Sequence, residues 1–114
     1  MIKISRNDAI DMGELTDTAY YILLTLVEAN HGYLIMKTIE TITNNQFSVG
    51  PASMYTTIKK LLAADLIKQF DDGDEKRKTY IATEKGIELL KKEVGRRREM
   101  VLHAEEILSR KGVI

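Results

Sequence analysis

Apolar residues recur along this chain with a helical period in four stretches and with a strand-like habit in one region. The first stretch opens on Leu15-Thr16-Asp17, a hydrophobic residue followed by two capping candidates. Ala19, Tyr20, Ile22, Leu23, Leu24, Leu26 and Val27 then leave few polar positions on any side, which predicts a buried core helix. Asn30-His31-Gly32 stops it, with His31 a turn and capping residue. Tyr33 begins a second amphipathic segment whose Leu34, Ile35, Met36, Ile39 and Ile42 face inward, and Asn44-Asn45 closes it. Phe47-Ser48-Val49 is too short for a free-standing strand and is expected to pair with a later hairpin as a third edge.

The third stretch carries the most information. Pro51, the only proline, stands behind Gly50 at the head of a periodic segment, where its missing N–H costs nothing at a first helical position. Met54, Ile58, Leu61 and Leu62 form one apolar stripe, while Ser53, Thr56, Thr57, Lys59 and Lys60 fall mostly on the other face. No acidic residue occurs from Gly50 to Ala64. Short hydroxyls and ammonium groups on such a face suit phosphate oxygens and base edges. The same face also fits an ordinary solvated helix, so its neighbours decide between the two.

Those neighbours are Leu66-Ile67-Lys68-Gln69-Phe70, the turn cluster Asp71-Asp72-Gly73-Asp74, and Arg77-Lys78-Thr79-Tyr80-Ile81, which read as two short strands joined by a tight loop. Two core helices, an exposed helix and a β-hairpin make a winged helix-turn-helix. The expected fold class is therefore mainly α with a small β-hairpin wing (α+β). Its parts are an N-terminal arm or short helix over 1–14, a DNA-binding domain over 15–82 and a C-terminal dimerisation helix over 83–114.

That last helix starts at Thr83, a candidate N-cap, and carries Ile87, Leu90, Val94, Arg97, Val101, Ala104 and Leu108 at alternating steps of three and four. A helix of about 28 residues spans ~40 Å, longer than the domain before it, so much of its stripe has no partner in its own chain. A second copy of the same helix is the simplest cover, giving a two-fold dimer through Ile87, Leu90, Val94, Val101, Ala104 and Leu108. Gly95 and Arg97 interrupt the seam. Either the helix bends there with Arg97 reaching outward, or the protomers leave a gap that a ligand fills.

Composition narrows the classes. Lysine plus arginine and aspartate plus glutamate both number 17, so net charge by itself argues for no partner. The distribution is uneven: residues 1–45 hold three bases and six acids, residues 46–100 twelve bases and nine acids. The positive bias sits with the third helix and the hairpin. Absence of cysteine removes disulfides, thiol catalysis and zinc ribbons, and two histidines, His31 and His103, make no credible metal site. No apolar run reaches the ~20 residues of a membrane helix and Met1 to Asp11 lacks a signal-peptide core, so a cytoplasmic protein with no membrane partner is expected. No paired carboxylates in an apolar setting, glycine-rich phosphate loop or nucleophile with a histidine base is present, which argues against an enzyme and any cofactor.

His31-Gly32-Tyr33, Gly50-Pro51-Ala52-Ser53-Met54-Tyr55, Leu61 through Leu66-Ile67 and Lys78-Thr79-Tyr80-Ile81-Ala82-Thr83-Glu84-Lys85-Gly86 occur in this order. Together with Tyr20-Tyr21-Ile22-Leu23, this series resembles the PadR-like transcriptional regulators over roughly Leu15 to Leu90. The resemblance implies a dimeric winged-helix repressor with its third helix in the major groove, its hairpin on the adjacent backbone and its last helix at the dimer interface. It implies that Tyr33 and Tyr55 contact phosphates or support such contacts, and that Ser53, Thr56, Thr57 and Lys60 lie toward the groove. It also implies release from DNA by a small apolar or aromatic effector near the interface, where Arg97 and Met100 would line a pocket.

Two features depart from the family pattern. The hairpin tip Asp71-Asp72-Gly73-Asp74-Glu75 is acidic, leaving Lys76, Arg77 and Lys78 beside it as the useful cations, and no tryptophan is present to stack a planar ligand. With Lys59, Lys60, Lys76, Arg77 and Lys78 neutralising phosphates, the expected partner is double-stranded DNA carrying two half-sites about 34 Å apart. A winged helix used as a protein-docking module, without specific DNA binding, is the alternative from another class.

Overall fold

A computed structural model of the protein describes residues 14–71, 73, 74 and 76–114. The arm or short helix expected over 1–14 falls almost wholly outside the described residues, as do Asp72 and Glu75 of the acidic tip. The elements run α1 (Asp17–Thr25), β1 (Asn30–His31), α2 (Gly32–Ile42), α3 (Pro51–Ala63), β2 (Ile67–Phe70), β3 (Thr79–Ala82) and α4 (Glu84–Arg110). This is the α+β winged helix-turn-helix expected, with its long C-terminal helix.

Local chemistry starts each helix. Thr16 caps α1 by accepting from the Ala19 N–H at 3.1 Å. Thr83 caps α4 by accepting from the Gly86 N–H at 3.1 Å. Pro51 stands in the first turn of α3 behind an extended Gly50. The second helix begins one residue earlier than Tyr33, at Gly32, and Asn44 and Asn45 end it with φ of 50° and 61°. Both asparagines occupy the left-handed region that this residue type tolerates best among those with a side chain.

Ile22, Leu23 and Leu26 of the first helix and its exit, Ile35 and Ile39, Met54, Ile58 and Leu61, and Leu66 and Ile67 bury completely or nearly so in one core. Several inward assignments were too generous. Leu34 is 45% exposed, Ile42 49%, and Leu24, Val27 and Leu62 also reach solvent. One buried stripe per helix suffices in a domain this thin, so flanking apolar positions stay wet.

The sheet has the order β1-β3-β2, all antiparallel. Its third strand corrects the sequence reading. Phe47-Ser48-Val49 is not the third edge: that place belongs to Asn30–His31, which pairs with Tyr80 and Thr79. The Phe47 N–H is already taken by the Thr43 hydroxyl at 3.2 Å, and Phe47 packs its ring on Tyr21 at 5.0 Å between centroids. The hairpin connection is also longer than a tight loop, because pairing ends at Phe70 opposite Thr79. Asp71 Oδ1 accepts from the Gly73 N–H and Asp74 Oδ1 from the Lys76 N–H, both at 2.9 Å, so the acidic side chains shape the turn.

Helix α4 begins inside the domain and ends outside it. The Thr83 N–H donates to the Leu66 carbonyl at 3.0 Å, and Gly86 lies so close to that carbonyl that a Cβ there would stand 2.0 Å from its oxygen. Leu89 and Leu90 are buried, Ile87 packs against the same core, and Val94 is half-buried. From Arg98 onward every residue is exposed. Of the expected dimer seam, Leu90 is thus filled by its own chain, while Val101, Ala104 and Leu108 stand free.

Candidate nucleic-acid interface

The first turn of α2, Tyr55 of α3 and the loop of the wing border an open cavity of about 340 Å³ lined by His31, Gly32, Tyr33, Tyr55, Lys76, Arg77 and Lys78. Five residues expected to touch DNA meet there: Tyr33, Tyr55, Lys76, Arg77 and Lys78. The meeting depends on Gly32. A Cβ at that position would stand 2.8 Å from the Tyr55 hydroxyl oxygen and 3.2 Å from Met54 Cε, so only a residue without a side chain lets the Tyr55 ring cross the start of α2.

The chemistry of the cavity favours an anion. His31 occupies the N-cap of α2 without a side-chain capping bond, and the first turn of that helix contains no acid. The residues that begin this helix, with its positive dipole end, line the cavity, and helix starts of this kind are where phosphates bind. Lys76 and Lys78 are exposed beside them, and Arg77 is half-exposed with its Nε 3.7 Å from Asp74 Oδ2. Tyr80 lies buried nearby on the central strand, and burial, with the neighbouring Tyr55 adding to it, pushes its phenol above the usual value. Tyr33 and Tyr55 are 62% and 51% exposed.

The remaining expected contacts do not converge on this cavity. Ser53, Thr56, Thr57 and Lys60 recur at three- and four-residue steps along one flank of α3, whereas Tyr55 and Lys59 share the opposite flank. Ser53, Thr56 and Lys59 are exposed, Thr57 and Lys60 half-buried. The face thus has two parts, a hydroxyl-rich flank and a tyrosine flank that continues into the α2 start and the wing. Sequence reasoning assigned His31 only to the turn; its place in the His-Gly-Tyr run beside a helix start was the signal for a wall of the cavity.

Arg97, expected to point outward or into a gap between protomers, instead turns back on its own chain. Its Nη1 pairs with Asp17 Oδ1 at 2.7 Å, its Nη2 donates to the Leu15 carbonyl at 2.9 Å, and its guanidinium lies 4.2 Å over the Tyr20 ring. Glu93 beside it is fully buried and accepts from the Leu15 N–H at 3.1 Å and from Arg96 Nη2 at 2.9 Å. Hydrogen bonding from Arg96 outweighs the desolvation of burial, so the Glu93 carboxyl is held below its ordinary value and stays ionised. Met100 is 53% exposed, with its sulfur 3.2 Å from Arg96 Nη1.

A family model described as the transcriptional regulator PadR-like family matches residues 22–92, from the second half of α1 into the first third of α4. The chain belongs to the PadR-like family of transcriptional regulators. Among solved structures, this PadR-like chain is similar to a transcriptional regulator from Clostridium thermocellum, at 28% identity over 94% of this chain and 97% of that one, with a TM-score of 0.64. It shares its fold with a PadR-like transcription factor from Bacteroides fragilis (22% identity, 78% and 87% covered, TM-score 0.66). The same holds for a PadR-family regulator from Eggerthella lenta (18% identity, 79% and 80% covered, TM-score 0.67). No curated protein matches the sequence. Among the described residues of this PadR-like chain no helix is long and apolar enough to cross a membrane.

Proposed function

We propose that this PadR-like regulator is a repressor that binds a pseudopalindromic operator as a homodimer. The observation that carries the reading is the cavity where the uncapped start of α2, Tyr33, Tyr55 and the Lys76-Arg77-Lys78 run meet, a receptor for one backbone phosphate beside the groove that α3 enters. Base discrimination would fall to Ser53, Thr56 and Thr57 together with DNA shape, with Lys59 and Lys60 on neighbouring phosphates. The second copy is argued from α4: Val101, Leu102, Ile107 and Leu108 are all exposed on an arm of helix that no described residue of its own chain covers. An apolar stripe that continues the core's own periodicity past the domain edge fits an identical helix in two-fold relation. An effector lodged between protomers would meet Met100 rather than Arg97, whose guanidinium is already engaged by Asp17, Leu15 and Tyr20.

The test is fluorescence anisotropy on the inverted repeat recovered by selection from random duplexes, across a salt series. If the five cations of each protomer each neutralise one phosphate, the log–log salt slope of the dimer is about −9, and affinity falls ~10⁵-fold between about 50 and 200 mM salt. Lys78→Ala in both protomers reduces the slope by ~1.8. A salt-independent affinity, or selection that enriches no sequence, would overturn the reading in favour of a protein-docking module.

A further inference from the structure

The contacts of Arg97 and Glu93 do something that DNA contact does not require: they fix the direction in which α4 leaves the domain. Besides the packing of Ile87, Leu89 and Leu90 on the core, polar contacts hold helix α4 to the rest of the chain at two places. The first is its start, where Gly86 abuts the Leu66 carbonyl and Lys85 Nζ donates to the Ala64 carbonyl at 2.8 Å. The second, some two to three turns on, is the cluster of Glu93, Arg96 and Arg97 with Leu15, Asp17 and Tyr20 at the entry to α1. That cluster clasps both main-chain polar groups of Leu15, its N–H through Glu93 Oε2 and its carbonyl through Arg97 Nη2. Arg97 Nε, buried and without a hydrogen bond of its own, lies 3.5 Å from Glu93 Oε2, within ion-pair range. Beyond it nothing in α4 is buried.

We propose that the ionic clasp of Glu93 and Arg97 on the residues entering α1 is the positioning element that sets the separation of the two reading heads, and so the half-site spacing the regulator accepts. The inference rests on the homodimer reading above. With the free ends of two α4 helices joined, each reading head sits at the end of a lever pivoting near Gly86. From Gly86 to Arg110 the lever is ~36 Å long at 1.5 Å per residue, so a 10° change of angle moves one end by ~6 Å. That is nearly two base-pair steps of DNA at ~3.4 Å each. At Glu93, seven residues or ~10 Å from the pivot, the same rotation shifts the helix by ~2 Å, more than a buried carboxylate bound by oriented donors accepts.

The chain lacks cysteine, so an Ala63→Cys substitution at the exposed end of α3 accepts a single nitroxide label. Double electron–electron resonance then reads the distance between the two α3 helices of a dimer. The labelled parent is expected to give one narrow distance. Glu93→Gln keeps the size of the side chain and removes its charge, and should broaden the distribution at least twofold or shift it by ~5 Å. Operators with the spacer changed by one or two base pairs, each tenfold or more weaker for the parent, should then bind within about threefold of the optimum. Arg97→Lys, which keeps the charge and cannot bridge Asp17 and Leu15 together, should act in the same sense and decides the matter if Glu93→Gln fails to fold. Folded variants with an unchanged distance and an unchanged spacer profile would overturn the proposal. A parent without any dipolar modulation would show instead that the homodimer reading fails.

Discussion

The junction between wing and α4 gives the most quantitative test of the fold, through a single methyl group. In Gly86→Ala the new Cβ would lie 2.0 Å from the Leu66 carbonyl oxygen, 3.0 Å from its carbon and 3.3 Å from Leu23 Cδ1. The obstruction is backbone on one side and a fully buried side chain on the other, so no flexible group can turn away. Relief requires α4 to retreat by about an ångström from the turn that precedes β2. That retreat weakens three hydrogen bonds in which the same region is held: Thr83 N–H to Leu66 at 3.0 Å, the Thr83 hydroxyl to the Asp65 carbonyl at 2.7 Å and Lys85 Nζ to Ala64 at 2.8 Å. At about 1 kcal/mol net for each, the loss is ~3 kcal/mol, with overpacking adding 1–3 kcal/mol and the better helix propensity of alanine returning about 1 kcal/mol. A net destabilisation of ~3 to 5 kcal/mol corresponds to a fall in Tm of well over 10 °C at roughly 4 °C or more per kcal/mol for a domain of this size. Differential scanning calorimetry at fixed protein concentration measures it. A Tm within ~2 °C of the parent would refute the argument that this close approach holds the junction together.

The other glycine of close approach should respond in the opposite way. Gly32→Ala meets only the far ends of Tyr55 and Met54, so it should melt within ~3 °C of the parent while displacing Tyr55 from the cavity. At ~1 to 1.5 kcal/mol per lost phosphate hydrogen bond and two half-sites, operator affinity falls ~30- to 150-fold in the same anisotropy assay, and an unchanged affinity would remove Tyr55 from the interface. Leu108→Glu adds a charge on the exposed arm without touching the core, so analytical ultracentrifugation should find a folded monomer; a persisting dimer would place the interface elsewhere. Because Glu93 has its folded value held below the ordinary 4.5, its contribution to stability is complete above that value and is lost as pH falls through the folded one. Urea melts from pH 7 down to about 3 should therefore show a steeper acid loss for the parent than for Glu93→Gln, and parallel curves would contradict the assignment.

The sequence alone determined everything that a local pattern encodes. Periodicity located the four helices of the described residues, the only proline and two threonines marked three of their starts, and the asparagine pair marked the end of α2. The ordered short motifs were enough to suggest the family, because each motif is a local requirement of the winged helix. Long-range geometry decided the rest. Nothing in Phe47-Ser48-Val49 announced that its first amide would be taken by Thr43, or that Asn30–His31 would become the third strand, since strand partners are chosen by where helices set the chain down. Glu93 reads in sequence as one more charged helix residue, and Arg97 as a flaw in an apolar seam. Only the approach of α4 to the entry of α1 buries the carboxylate and gives the guanidinium two acceptors, a consequence of residues some 80 positions apart that no local pattern contains. The division of the residues expected to face DNA has the same origin: Tyr55 joins Tyr33 and the wing cations because glycine at position 32 lets two helices come close enough for one ring to cross the start of the other.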